Sequence, residues 1–284
     1  MDIFKSSKRS CPYCHSVAEF DFSVHGRQYF HCKSCDLMFK AKQESDNEKE
    51  LTQYFQDWYF SESAWDQLNG SRNAIYSHVL DLIESETGVG KVLDVGCGCG
   101  FFLKEAKNRG WDITGIDLSK ESIDFSERLL GTTFTHQGTL KDLSQENEFD
   151  VVTMIDAIGF FSEPWADIEK ARTLLKEGGL LYLRFSNGLL HSALFKISIK
   201  CKIDYLINTF LVCHMYTLTP RFIRRLLSDY GYSMVAIQNA RFSEEGFINR
   251  LLKKAVGIAV NSLSFISRGR IIIGPSLEVI ARKA

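Results

Sequence analysis

The stretch Val92-Leu93-Asp94-Val95-Gly96-Cys97-Gly98-Cys99-Gly100-Phe101 decides how this chain is read. An apolar run ends in an acid, three glycines alternate with small residues, and an apolar helical pattern resumes at Phe101. That order predicts a buried strand delivering the chain to a tight loop at a helix N-terminus. Glycines at alternate positions let the backbone take left-handed angles and lie against a ligand, and the first helical amides supply donors. GxGxG alone is shared by several nucleotide-binding folds. A second apolar segment, Trp111-Asp112-Ile113-Thr114-Gly115-Ile116-Asp117, ends in another acid about twenty residues beyond the first glycine. A carboxylate there, at the tip of the second strand of a βαβ unit, can grip two ribose hydroxyls.

Two ligands compete for this loop, a dinucleotide and S-adenosylmethionine (SAM). The third glycine of GxGxxG is missing, since Phe101 holds its place, and no Lys-Ser or Lys-Thr pair closes a P-loop. Asp94 suits a ligand carrying an ammonium and a sulfonium better than a pyrophosphate. The stretch resembles motif I of the class I SAM-dependent methyltransferases, and Gly115-Ile116-Asp117-Leu118-Ser119 resembles the motif that follows it. The resemblance implies Asp94, Gly96, Cys97 and Gly98 at the methionine end of SAM, Asp117 on the ribose and Leu118 against the adenine. It further implies Gly138, Thr139 and Leu140 at the adenine edge, with Ile155 and Asp156 flooring the methyl end.

The chain of 284 residues, 45% hydrophobic, suffices for one sizeable α/β domain and a small appendage. Its net charge of −1 gives no global attraction to nucleic acid or acidic membranes. Met1–Ser10 lacks the apolar core of a signal peptide, and no apolar run is long enough to span a bilayer. A cytoplasmic protein is expected.

Cys11-Pro12-Tyr13-Cys14 and Cys32-Lys33-Ser34-Cys35 form a CxxC…CxxC array with the spacing of a four-thiolate zinc site. Glu19–Phe30 between them alternates like a hairpin. A region of about forty residues buries too little apolar surface to fold alone, and a metal supplies the missing stability. Four thiolates complete the coordination shell, so the zinc is expected to be structural. The other four of the eight cysteines read as small buried hydrophobes.

Three units are expected: a zinc ribbon over 1–42, a linker and aromatic helical lid over 43–70, and a methyltransferase domain over 71–284. The lid carries Tyr54, Phe55, Trp58, Tyr59, Phe60 and Trp65. Helical spacing covers Asn73–Glu84, Ser119–Leu130 with Ser119 as cap, and Pro164–Lys176 with Pro at its first turn. Phe149–Ile155 reads as a central parallel strand, Leu180–Phe185 as the next, and Ser233–Gln238 with Ser276–Ala281 as a closing hairpin. Tyr216–Tyr230 reads as a helix with Thr219-Pro220 at its start. Phe149–Asp156 is similar to the fourth-strand motif of the class I methyltransferases, and Leu174-Leu175-Lys176-Glu177-Gly178-Gly179 to their LLKPGG turn. The expected fold is therefore a Rossmann-like class I methyltransferase α/β sheet with helices on both faces, plus a small N-terminal zinc ribbon.

One departure bears on chemistry. Many relatives carry Glu-His after the fourth strand, where this chain has Gly159-Phe160. Metal-assisted O-methylation of a catechol-like acceptor is thereby disfavoured, and Phe160 with Phe161 suggests an apolar pocket wall. His214 is the leading candidate base, because His214–Pro220 resembles the family segment beside the acceptor pocket and histidine titrates near neutrality. His191, Tyr216 and Asp156 are the other candidates. The apolar insert 189–215, dotted with Lys196, Lys200 and Lys202, covers the substrate and, with 247–265, could rest peripherally on a membrane. The expected activity is SAM-dependent methyl transfer to a small molecule, whether sugar, lipid or other metabolite. A ribbon-guided nucleic-acid or ribosome-associated methyltransferase and a non-catalytic SAM-binding adaptor are the alternatives. Absence of a basic stripe speaks against the first, and the intact loop with Asp117 against the second.

Overall fold

The computed structural model describes residues 8–24, 27–41, 72–131, 133–202, 215–241, 262 and 272–284. The expected aromatic lid, His214 and nearly all of 247–265 lie outside the described residues. Two sheets are formed. The larger contains β5 (Lys91–Val95), β6 (Asp112–Asp117), β7 (Thr135–Gln137), β8 (Phe149–Ile155), β9 (Leu175–Ser186), β11 (Tyr232–Asn239) and β12 (Ser276–Lys283). Its order is β11-β12-β9-β8-β5-β6-β7. The pairs from β9 to β7 are parallel, while β12 runs antiparallel to both β9 and β11. The last two strands are thus the closing hairpin expected of them.

Alternation along the central strands assigns side chains to two cores. Leu93, Val152, Met154, Leu181 and Leu183 face one layer, with α4 (Pro164–Leu174) and α6 (Pro220–Asp229) packed on it. Val92, Val151, Leu180 and Tyr182 face the other, covered by α1 (Asn73–Thr87), α2 (Phe101–Asn108) and α3 (Lys120–Leu130). Strands buried on both faces read as continuous apolar runs, which is why the sequence shows them so clearly. Ser119 caps α3 by accepting from the Ser122 amide at 3.1 Å, as its position implies.

The smaller sheet contains β1 (Lys8–Ser10), β2 (Val17–Val24), β3 (Arg27–His31), β4 (Met38–Lys40) and β10 (Tyr216–Thr217). Its last strand comes from about 180 positions further along the chain than its neighbour β4. The helix expected within Tyr216–Tyr230 starts at Thr219-Pro220 as its sequence implies, and Tyr216 and Thr217 before it pair antiparallel with Phe39 and Met38. The physical reason is the Thr219-Pro220 pair. Pro favours the first helical position, and the Thr219 hydroxyl accepts from the Phe222 amide, so the helix starts at Pro220 and leaves 216–217 extended. A helix α5 (Gly188–Cys201) opens the insert after β9. Among the described residues no helix is long and apolar enough to cross a membrane.

Candidate functional site

The order of the large sheet reverses at β5, with β6 on one side and β8 on the other. In open α/β sheets the crevice beyond the strand ends at such a point is where ligands bind. Gly96 lies there at φ +73, and a Cβ added to it would stand 2.7 Å from the Cβ of Ala157. Gly115 serves a different need: a Cβ there would meet Leu103 Cδ1 at 2.6 Å and Cys97 Sγ at 2.8 Å. Both glycines let the loop lie on its neighbours, and the Gly96 and Cys97 amides donate to the Ile116 carbonyl at 2.8 and 3.1 Å. Cys97 and Cys99 are buried, and burial pushes the Cys97 thiol well up, so both act as inert small side chains here.

Asp117 ends β6 with its carboxylate turned into the loop. Its Oδ2 accepts from the Gly98 amide at 2.9 Å and its Oδ1 from the Ser119 amide at 2.9 Å. A carboxylate oxygen has two lone-pair positions, so each oxygen keeps one for an incoming hydroxyl. Burial raises the Asp117 pKa above the ordinary carboxylate value, against the pull of the backbone amides. Leu118 beside it is 49% exposed, an apolar side chain open to a flat ring.

Asp94 is only 3% exposed at the end of β5. Burial pushes its pKa up to about 7, with the negative Asp117 adding to the rise; the Thr153 hydroxyl, donating to Oδ1 at 2.6 Å, works against it. A buried carboxylate so poised favours a cationic neighbour. One buried and one half-buried acid therefore face the loop, and their acceptor capacity suits a ligand that brings an ammonium, a sulfonium and two ribose hydroxyls.

After β7, the Gly138 amide donates to the Asp117 carbonyl at 2.9 Å, and Thr139 exchanges hydrogen bonds with Asp142. Gly138 and Thr139 retain exposed surface, whereas the Leu140 side chain is buried in the core at 1% exposure. Ile155 is half-buried at the end of β8. Asp156 follows in a left-handed conformation, φ 58, gripped by both Arg184 and Arg72. Burial alone would raise its pKa; the two guanidiniums override that and hold it below the usual carboxylate range. A carboxylate so neutralised is a poor proton acceptor.

Two further candidate bases are tied down. His191 is buried, its Nε2 donates to the Pro275 carbonyl at 3.0 Å, and burial lowers its pKa. The Tyr216 hydroxyl donates to the Ser162 carbonyl at 3.0 Å, its ring packs 5.3 Å from Trp165, and burial pushes its pKa up to about 12. Sequence reasoning missed three polar residues of this region. Thr153 and Arg184 were legible as polar interruptions in apolar strands, which burial tolerates only with a partner. Arg72, just before α1, carried no such signal.

The four cysteines converge. Cys11 and Cys35 sulfurs are 3.6 Å apart, Cys14 and Cys32 sulfurs 3.5 Å, and all four lie within 4.8 Å of one another. Thiolates bound tetrahedrally at about 2.3 Å stand about 3.8 Å apart, so the set is close to the spacing zinc needs. Two matching turns build it. The His15 amide donates to the Cys11 carbonyl at 3.0 Å and the Asp36 amide to the Cys32 carbonyl at 2.7 Å, with both residues left-handed.

A family model described as a methyltransferase domain matches residues 68–237. Over 168 residues the chain is 30% identical to a ubiquinone biosynthesis O-methyltransferase of Vibrio parahaemolyticus, covering 56% of this chain and 71% of that protein. A relative of the same description from Vibrio vulnificus is 35% identical over 114 residues, 38% of this chain and 48% of the relative. Among solved structures, the magnesium protoporphyrin IX methyltransferase of Synechocystis with bound SAH aligns with a TM-score of 0.56 at 17% identity, covering 84% of this chain and 100% of that one. A SAM-dependent methyltransferase from Archaeoglobus fulgidus aligns with a TM-score of 0.52 at 20% identity, covering 81% and 99%. The chain belongs to the class I SAM-dependent methyltransferases. Its cofactor is SAM, and its cysteine cluster has the makings of a structural zinc site.

Proposed function

We propose that the crevice at Asp94–Gly100 and Asp117 binds SAM, and that the enzyme transfers its methyl group to a small molecule with an apolar body. The observation that carries the donor half is Asp117: its two oxygens are already fixed by the Gly98 and Ser119 amides and each keeps a position for a ribose hydroxyl. Leu118 offers a face to the adenine, with Gly138 and Thr139 along its edge. Asp94 faces the methionine ammonium, and Arg72, paired to Asp156, brings positive charge to the side where the methionine carboxylate would lie.

SAM supplies an electrophilic methyl on a sulfonium, and the leaving thioether is neutral. The protein's task is therefore to align an acceptor atom with that methyl and to exclude water, where alignment alone contributes several kcal/mol, on the order of 7–11 at best. Gly159 and Phe160 follow Asp156 where relatives carry Glu-His, so neither a metal ligand nor a proton acceptor stands at those two positions. The reading is supported by the half-buried, charge-neutralised Asp156 and by the tied-down His191 and Tyr216. It leaves His214, immediately before Met215, as the candidate base.

The printed names of the curated relatives point to a lipid-like acceptor, and α5 agrees in kind. It exposes Leu189, Ile197 and Ile199 beside Lys196, Lys200 and Lys202, a pattern suited to a peripheral contact with a membrane surface. Isothermal titration with SAM tests the donor site. Asp117→Ala removes two hydrogen bonds to a charged group, worth about 3 kcal/mol together, so affinity falls about a hundredfold. Binding untouched by that change would refute the assignment. Mass spectrometry of extracts incubated with the enzyme and isotopically labelled SAM then reads the acceptor's mass and its retention on an apolar column.

A further inference from the structure

We propose that the cysteine knuckle is a positioning element for the acceptor side of the site: metal in the knuckle holds β10 and the start of α6 in place, and through them the loop after β8. The route is short and made of hydrogen bonds. The Lys40 amide of the ribbon donates to the Met215 carbonyl at 3.0 Å, and the Met215 amide donates to the Gly159 carbonyl at 3.1 Å. One residue thus joins a ribbon strand to the loop after β8 that holds Gly159 and Phe160. On the next turn, Asp36, directly after the ligand Cys35, accepts from His31 at 2.8 Å and from the Thr219 hydroxyl at 2.7 Å. Thr219 is the cap of α6, so the second knuckle's conformation and the first turn of that helix share one hydrogen-bond chain.

Packing follows the same line. Tyr13, inside the first CxxC, places its ring 5.2 Å from Phe222 and 5.8 Å from Trp165, and its hydroxyl donates to Asp229 at 2.5 Å. Cys11, Cys32 and Cys35 share one continuous core with Tyr216, Leu218 and Phe222. A ribbon acting as a detached reader would present these groups outward. Here they are spent inward, against 215–229. The same core runs on to Leu93, Val95 and Ile116 beneath the donor loop, but the loop's hydrogen bonds run among β5, β6 and β8. Loss of the metal should therefore loosen the acceptor side and spare the donor side.

The proposal rests on the donor site assigned above, and the two fail differently. The test is hydrogen exchange by mass spectrometry on the full-length zinc-loaded chain, before and after a thiol-compatible chelator, with SAH titrated into each form. Expected are exchange in 215–226 faster by at least tenfold on chelation, unchanged exchange in 94–101 and 115–119, and an SAH affinity within about twofold. Unchanged protection of 215–226 overturns the proposal, and so does equal loss across donor and acceptor segments. Native protein that fails to bind SAH refutes the donor site instead and leaves the exchange readout standing. Thr219→Val, with metal content verified, keeps the ligands and removes both the bond to Asp36 and the helix cap; exchange in 219–223 should rise about fivefold from the lost cap, and chelation should then add less to it than in wild type. Thr219→Ser should restore it, and failure of that rescue also overturns the proposal.

Discussion

Asp94→Asn should raise the stability of the free protein and weaken its hold on SAM, and the opposite signs make it diagnostic. Asp94 is buried and its pKa is pushed up to about 7 in the folded chain, against about 3.9 when unfolded. Between those values the folded state binds the extra proton, so stability falls as pH rises. The penalty is absent below about pH 4, grows by about 1.4 kcal/mol per pH unit, and levels off above pH 7 at about 4 kcal/mol, an upper limit. Asn keeps an acceptor for the Thr153 hydroxyl and carries no charge. Denaturant unfolding should therefore give wild type and variant equal stability near pH 4 and a more stable variant at pH 8. Titration with SAM should show the reverse. Wild-type affinity rises through pH 6 toward 7.5, because the bound ammonium favours ionised Asp94 and each binding event releases a proton below pH 7. The variant shows no such slope and binds about 10–100-fold more weakly at pH 8, the worth of one charged hydrogen bond. A variant less stable at pH 8, or a wild-type affinity flat from pH 5.5 to 8, would refute the reasoning.

Other perturbations separate neighbouring parts of the site. Gly96→Ala puts a Cβ at φ +73 and 2.7 Å from Ala157, so a stability loss of about 2 kcal/mol and at least tenfold weaker SAM binding are expected by urea unfolding and calorimetry. Arg184→Leu leaves Asp156 facing Arg72 alone; with the carboxylate partly exposed, the loss should be about 2 kcal/mol at pH 7. Because Asp156 titrates below its unfolded value, its contribution is present above about pH 4 and disappears as pH falls further. The difference between wild type and Arg184→Leu should shrink correspondingly in acid, and a constant difference down to pH 3 would exclude the ion pair as its source. Asp117→Ala should leave unfolding at pH 7 within about 1 kcal/mol of wild type while abolishing tight SAM binding, a split that circular dichroism and calorimetry on one sample can read.

Much of the fold was legible because the central strands are buried on both faces. Val92–Val95 and Phe149–Ile155 announce themselves as apolar runs, and Ser119, Pro164 and Thr219-Pro220 mark helix starts by local chemistry. The glycine loop was legible for a different reason, since left-handed turns demand glycine wherever the chain passes. The pairing of Tyr216–Thr217 was not legible because two strand-favouring residues are too short a run to reveal a partner strand about 180 positions away. Asp156 was assigned a place at the cofactor from its position after β8, yet its carboxylate is taken up by Arg184 and Arg72, one in β9 and one before α1.

The sequence by itself determined the class of enzyme, the glycine loop and the cysteine cluster that could hold a metal, because each shows in short motifs of the chain. Only the tertiary structure decided that the N-terminal sheet takes its last strand, Tyr216–Thr217, from a distant part of the chain. It alone also decided that Asp94 is a poised acid and Asp156 a neutralised one. Those two carboxylates differ by burial and by which charged groups long-range folding brings beside them. No local pattern encodes either.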